Sequence, residues 1–264
     1  MKRVPLRTFF YYYDTKVKTF QIVVMMKDVP GALNNVLERL RDRVDLINSF
    51  SYSLEDGTAI WSGFGRALSA SETAEGLRGF LIESRTVQDV DVAASSKGLL
   101  VDTFHLGLVD SLGVPRIVLS TPALRRVFSD VARMFGTGGA TLLFEEGLSM
   151  GRDNASFMKK LMGPGIVRAK AQELLGVYDS MGWGISVPRE WKPGERFALK
   201  IEGCFECGGE KGGRTSCDFQ RGHLVGLLST FYDMALDCTE TKCKARGDSA
   251  CEFELRPSTP LTIR

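Results

Sequence analysis

Asp237-Cys238-Thr239-Glu240-Thr241-Lys242-Cys243-Lys244-Ala245-Arg246-Gly247-Asp248-Ser249-Ala250-Cys251 carries three of the six cysteines of a 264-residue chain. The other three are Cys204, Cys207 and Cys217, and residues 1–203 contain none. Clustering of that kind points to one local task. Asp237–Thr241 and Cys251–Leu255 read as strand-like segments joined by the turn from Cys243 to Asp248. Upstream, Cys217 opens a helical pattern through Phe219, Leu224, Leu227, Leu228, Phe231, Tyr232 and Met234. Cys217, Glu240, Cys243 and Cys251 form the spacing C-x22-E-x2-C-x7-C. Thiolates and a carboxylate are good ligands for Zn2+, which takes a closed tetrahedral set in structural sites. A first ligand at a helix start is favoured further, because the positive helix end lowers a thiol pKa. Cys204-Phe205-Glu206-Cys207-Gly208-Gly209 offers a rival, a knuckle that could join Cys243 and Cys251 and leave Cys217 in the core. A redox pair or an iron–sulfur cluster fits the spacing less well, and Cys238 reads as an inert strand residue.

The rest of the second half is helical before it is stranded. Ile117–Leu119 reads as a short strand, and Thr121-Pro122 as the N-cap and first residue of a helix ending at Gly136. Gly138-Gly139 punctuates. Ala140–Arg152 reads as the next helix, with Gly147 and Gly151 on a small-residue face, and Asn154–Leu175 as a third, broken at Gly163-Pro164-Gly165. Strands follow around Gly184–Val187 and Phe197–Phe205.

The first half alternates differently. Phe20–Met26 is a strand, and Asp28-Val29-Pro30-Gly31 is a turn into a helix carrying Leu33, Val36, Leu37, Leu40 and Val44. Asp45–Ser53 and Ala59–Arg66 form a hairpin around Glu55-Asp56-Gly57. Ser69-Ala70-Ser71-Glu72 has the spacing of a capping box for a second helix, and Val87–Val92 is a last strand. The order is β-α-β-β-α-β, a ferredoxin-like layout with helices over one antiparallel sheet. Ala93–Gly98 reads as a linker, and Leu99–Val109 as a strand containing a satisfied His105.

Composition excludes several functions. Lys+Arg 34 against Asp+Glu 32 leaves a net charge of +2, too even for a phosphate-binding surface as the main business. With two histidines, His105 and His223, a Ser-His-Asp triad has little to be built from. His223 reads as a surface or capping residue, Met1–Arg7 as a solvated terminus, and Gly136–Gly139 lacks the lysine of a phosphate loop. No stretch has the apolar length of a membrane span or the layout of a secretory signal, so a reducing cytoplasm is expected.

Two stretches resemble known families. Residues 18–94, with Asp28, Pro30, Gly31 and Leu33 at the first turn, resemble the ACT domain, a regulatory module. The resemblance implies a ligand on Asp28, Val29, Pro30, Gly31, Ala32 and Leu33, where helix-start N–H groups favour a carboxylate. Residues 112–256, with Glu145, Gly147, Gly151 and Arg152 ahead of the cysteine pattern, resemble the 4-vinyl reductase domain. That domain occurs in bacteriochlorophyll-biosynthesis proteins, predicted hydrocarbon-binding proteins and aromatic-responsive activators, and is related in fold to vesicle-tethering subunits. In the aromatic sensors the equivalent Cys, Glu, Cys and Cys hold one zinc that closes a lid over an apolar pocket. This implies zinc on Cys217, Glu240, Cys243 and Cys251. The activator ATPase and DNA-binding segments of those sensors have no counterpart here.

The expected fold class is α/β (α+β). An ACT-like ferredoxin-like domain spans residues 1–95, a linker strand 96–111, and a zinc-containing mixed α/β 4-vinyl reductase-like domain 112–264. The expected function is a small-molecule-binding regulator, not an enzyme. It would be a cytoplasmic homodimer taking a small apolar or amino-acid-like ligand, with nucleic acid reached only through a separate partner. A vinyl reductase-like enzyme of tetrapyrrole metabolism and a dimerising tethering subunit are the alternatives.

Overall fold

The computed structural model describes residues 10–207 and 217–258, so the basic start Met1–Arg7 and the glycines Gly208 and Gly209 lie outside the described residues. The chain divides into two compact units, Met1–Ile117 and Val118–Arg264.

In the first unit β1 (Tyr11–Tyr13) precedes β2 (Thr19–Lys27), α1 (Ala32–Leu40), β3 (Val44–Ser53), β4 (Thr58–Ala67), α2 (Ala74–Ile82) and β5 (Val87–Ala94). From β2 onward this is the β-α-β-β-α-β succession, and the strands form one antiparallel sheet ordered β3-β4-β2-β5. The central strand β2 explains the arrangement. Phe20, Ile22, Val24 and Met26 alternate along it and are all buried, the period of two that a strand shows against a core. They join Val36 and Leu40 of α1 and Leu77 and Leu81 of α2, each pair spaced by four so that it shares a helix face.

Several local expectations need correction. Ser69–Glu72 does not cap α2. The Ser69 hydroxyl accepts the Ser71 N–H, Glu72 turns to Arg43, and Thr73 in extended backbone accepts the Gly76 N–H at 3.0 Å. Leu99–Val109 is two short strands: β6 (Leu99–Val101) pairs with β1, and β7 (Leu108–Val109) pairs with β8 (Pro115–Arg116). His105 lies in the loop between them, half-buried, its Nδ1 at 2.8 Å from Asp102 Oδ2. Ile117–Leu119 forms no strand and stays exposed.

The second unit runs α3 (Thr121–Phe135), α4 (Thr137–Met162), α5 (Pro164–Ala169), α6 (Ala171–Ser180), β9 (Ile185–Lys192), β10 (Arg196–Glu202), α7 (Asp218–Tyr232), β11 (Leu236–Lys242) and β12 (Cys251–Pro257), with one 3-10 turn at Lys244–Arg246. The N-cap position of α3 is Ser120, one residue earlier than expected, and its side chain makes no capping bond. α4 runs unbroken through Gly138-Gly139 and on to Met162. The break falls at Gly136, and Gly138-Gly139 lie in the first turn of α4, where a Cβ on Gly139 would stand 2.4 Å from the Val131 carbonyl oxygen of α3. The four strands form an antiparallel sheet ordered β11-β12-β10-β9. Its face of Phe197, Leu199, Ile201, Phe253 and Leu255 shares a core with Leu224, Leu227, Leu228 and Phe231 of α7.

Eleven of the 15 residues of α7 are buried, which requires cover on every side. The further cover is α4, and the contact is backbone against backbone. A Cβ on Gly147 or Gly151 of α4 would fall 2.1 or 2.3 Å from carbonyl oxygens of α7. A Cβ on Gly222 or Gly226 of α7 would fall 1.9 or 2.2 Å from carbonyl oxygens of α4. Four reciprocal glycines therefore set the separation of the helices. Gly222→Ala should force them apart and cost at least ~2 kcal/mol, at the upper end of overpacking penalties, readable as a lowered urea midpoint. Gly176, with nothing within 4 Å of a Cβ, should accept alanine with no such loss.

Candidate metal centre and adjoining cavity

Three segments deliver the cysteines to one place. The chain leaving β10 carries Cys204 and Cys207, Cys217 stands at the start of α7, and Glu240, Cys243 and Cys251 lie on or between β11 and β12. Antiparallel pairing puts Ile201 opposite Cys251, so the Cys204–Cys207 loop departs beside the head of β12. All five of these cysteines and Glu240 are buried. Cys217 Sγ lies 3.7 Å from Cys204 Sγ and 3.6 Å from Cys251 Sγ, and Cys207 Sγ lies 3.0 Å from Cys251 Sγ. Cys238 on β11 is half-buried and stands outside the cluster.

The donor atoms of Cys217, Glu240, Cys243 and Cys251 lie within 4.8 Å of one another. So do those of Cys204, Cys207, Cys217 and Cys251. The set expected from the spacing is thus brought together, and the knuckle cysteines join as well. They do so through Cys217 and Cys251, so Cys217 is a donor in both sets rather than a core residue.

The loop has a second anchor that the sequence reading missed. Glu206, between the two knuckle cysteines, accepts the Phe219 N–H at 3.0 Å and the Gln220 N–H at 2.8 Å. These amides belong to the first turn of α7, where a carboxylate meets the positive helix end. Burial pushes the Glu206 carboxyl pKa well up, while the two N–H groups pull it back. An acidic residue inside a Cys-x2-Cys loop was the available signal.

The electrostatics of the cluster call for a cation. Hydrogen bonds with Cys204 and Cys207 drive the Cys217 and Cys251 thiols up, while Cys207, accepting from its neighbours, is driven down. Burial, helped by the Cys243 thiol, pushes the Glu240 carboxyl up to about 8. Packed without a counter-charge, Cys217, Cys251 and Glu240 are held toward the protonated form, and metal binding would release their protons. Glu240 Oε2 accepts the Cys217 N–H at 3.5 Å, whereas its buried Oε1 has no hydrogen-bond partner among the described residues. A soft donor set with one unpartnered carboxylate oxygen fits a tetrahedral divalent ion such as zinc.

α7 also lines a small cavity of about 10 Å3 with Gln220, His223 and Leu224, facing Leu175, Tyr178 and Trp183. That is room for about one water. His223 corrects the surface reading: it is 1% exposed, with ring centroids of Tyr178 and Trp183 each 4.6 Å away. Both of its ring nitrogens and Gln220 Oε1 lack a hydrogen-bond partner among the described residues. Burial pushes the His223 pKa down to about 3.

The comparisons with known proteins bear on this region. Residues 197–257 match the V4R domain. That span runs from β10 to the end of β12 and includes every donor of the cluster. No curated protein sequence matches the chain. Among solved structures, the chain is similar to the phenol-responsive sensory domain of the transcription activator PoxR with phenol. That likeness has 17% identity and a TM-score of 0.45, covering 57% of this chain and 83% of that one. It is also similar to a trafficking protein particle complex subunit 3 from Naegleria fowleri covalently bound to palmitic acid, at 18% identity and 0.42, covering 53% and 95%. A vinyl-4-reductase family protein from Methanocaldococcus jannaschii follows at 18% and 0.39, covering 55% and 85%.

His223 makes stability depend on pH. Its pKa is lower folded (about 3) than unfolded (6.5), so the unfolded chain takes up the proton first as pH falls. The contribution is complete above pH 6.5 and lost progressively toward pH 3. By pH 5 the loss amounts to about 2 kcal/mol, at ~1.4 kcal/mol per unit. Denaturant midpoints between pH 8 and pH 5 should drop accordingly, and His223→Leu should flatten that limb. An unchanged slope in the variant would place the acid sensitivity elsewhere.

Proposed function

We propose that the protein is a small-molecule-binding regulator whose C-terminal unit is closed by Zn2+ on Cys217, Glu240, Cys243 and Cys251. The observation that carries the reading is His223, buried among aromatic rings beside Gln220, with both ring nitrogens unpartnered among the described residues. Buried polar atoms are nearly always paired, so an unpaired set facing a cavity calls for a guest. Aromatic walls and one polar end suit a small apolar molecule carrying a hydroxyl. An imidazole with a pKa near 3 is a weak base at neutral pH, which suits binding rather than proton transfer. The guest would enlarge a cavity that now accommodates one water.

The N-terminal unit would be the second ligand module, ACT-like, with Asp28, Val29, Pro30, Gly31, Ala32 and Leu33 as its site. The turn is exposed apart from Ala32 and Leu33, Gly31 adopts a φ of 86°, and α1 has no side-chain cap. The Ala32 N–H donates to the Val29 carbonyl oxygen at 3.1 Å, so the next amides of the first turn, those of Leu33 and Asn34, would receive the carboxylate of an amino-acid-like ligand. β3 and β5 are the open edges of the sheet, and Phe50 and Tyr52 on β3 are each 44% exposed. This supports a homodimer paired along an edge. Thiolate ligands suit a reducing, cytoplasmic setting.

Calorimetry of the reduced, zinc-loaded protein with phenol as the probe tests the first site. Binding weakened at least tenfold in His223→Leu is expected, from loss of one buried hydrogen bond. No heat with phenol, and no retained small molecule in native mass spectrometry, would overturn the reading. Titration with the common amino acids tests the turn in the same way.

A further inference from the structure

The two donor sets overlap, and the overlap has a consequence that one zinc ion does not meet. Cys204, Cys207, Cys217 and Cys251 form one set; Cys217, Glu240, Cys243 and Cys251 form the other. Cys217 and Cys251 belong to both. Six donors are the number that two tetrahedral ions need when they share an edge. We propose that the centre is binuclear: two Zn2+ ions bridged by the thiolates of Cys217 and Cys251. One ion is completed by Cys204 and Cys207, the other by Glu240 and Cys243.

The geometry carries this. Zn–S bonds of ~2.3 Å in a tetrahedron place sulfurs about 3.8 Å apart. The Cys204–Cys217 and Cys217–Cys251 separations are 3.7 and 3.6 Å, one edge within the first set and the shared edge itself. The third contact, Cys207 to Cys251 at 3.0 Å, is a further edge of the first tetrahedron and has to lengthen by about 0.8 Å when the ion binds.

Donor economy points the same way. If a single ion took Cys204, Cys207, Cys217 and Cys251, Glu240 and Cys243 would be left buried with no cation, and Glu240 Oε1 has no partner among the described residues. If it took Cys217, Glu240, Cys243 and Cys251, two buried thiols would crowd the shared edge for no purpose. Five thiolates and one carboxylate carry −6, and two Zn2+ reduce this to −2. The start of α7 at Cys217 places positive helix potential beside the remainder.

The structure also fixes what the bridge would look like. A shared edge of 3.6 Å with ~2.3 Å Zn–S bonds sets the ions about 3 Å apart. With two shared and two terminal donors each ion has four, so two zinc ions need no further ligand. The centre is coordinatively closed and structural.

The inference rests on the metal-binding reading above, and the experiment separates the two. The full chain is reduced, loaded with Zn2+ alone and freed of excess metal. Native mass spectrometry should then show two Zn2+ per chain, and zinc X-ray absorption should show a metal–metal shell near 3 Å. The Cys204→Ser/Cys207→Ser variant and the Glu240→Gln/Cys243→Ser variant should each keep one ion and lose that shell. Saturation at one Zn2+ without the shell overturns the binuclear centre and leaves the mononuclear reading standing. No zinc at all overturns both. Iron with acid-labile sulfide in the protein as isolated would overturn the assignment in favour of a cluster. The unmodified protein decides the matter even if a variant does not fold.

Discussion

Five thiols and a carboxylate packed out of water are the constraint on which the C-terminal unit depends. Alone they are costly, because neighbouring thiols drive Cys217 and Cys251, and burial drives Glu240, toward the protonated form. Joined by a divalent cation they would tie the loop after β10, the start of α7 and the β11–β12 corner together. Glu206 shows how closely loop and helix are matched: its carboxylate fills the α7 amides just beyond Cys217. Strand pairing of β10, β11 and β12 and the packing of α7 on their sheet bring these segments together.

From that anchor α7 distributes the consequences. Its first residues meet the donors, Gln220 and His223 face the aromatic cavity, and Gly222 and Gly226 press against α4. The helix is almost wholly buried, and the glycine contacts leave no slack between it and α4. A change at the donors or in the cavity therefore has the same rigid element to act upon. In physical terms, a ligand that opens the cavity and a metal that fixes the helix start would be energetically coupled through α7.

Much of this architecture was legible in the chain. The period of two in Phe20–Met26 and the spacing of four in Val36/Leu40 and Leu77/Leu81 specify the first sheet and its helices, since each pattern admits one buried face. The cysteine spacing identified Cys217, Glu240, Cys243 and Cys251 as a group that the fold then gathers. What failed was local punctuation. Gly138-Gly139 reads as a break by propensity, yet the close crossing of α3 and α4 demands a residue without a side chain inside the helix. Ser69–Glu72 has capping-box spacing, but Thr73 lies nearer the first helical turn and takes the role. His223 read as exposed because a histidine beside Arg221 resembles a polar face. Only the tertiary cover from α6 and the β9 approach makes it the buried pole of the cavity. The overlap of the two donor sets was beyond sequence reach, because spacing cannot tell which cysteines share an edge.

The central claim is that bound metal holds the start of α7 onto the sheet, and hydrogen exchange at the amides of the α7 first turn tests it most directly. The account predicts that Phe219 and Gln220, with the head of β12 at Cys251, are strongly protected in the zinc-loaded protein and lose that protection when zinc is removed under reducing conditions. Strand β2 of the first unit should remain protected in both states. Equal protection of Phe219 and Gln220 with and without metal would contradict it, leaving the cluster a bystander to the packing of α7.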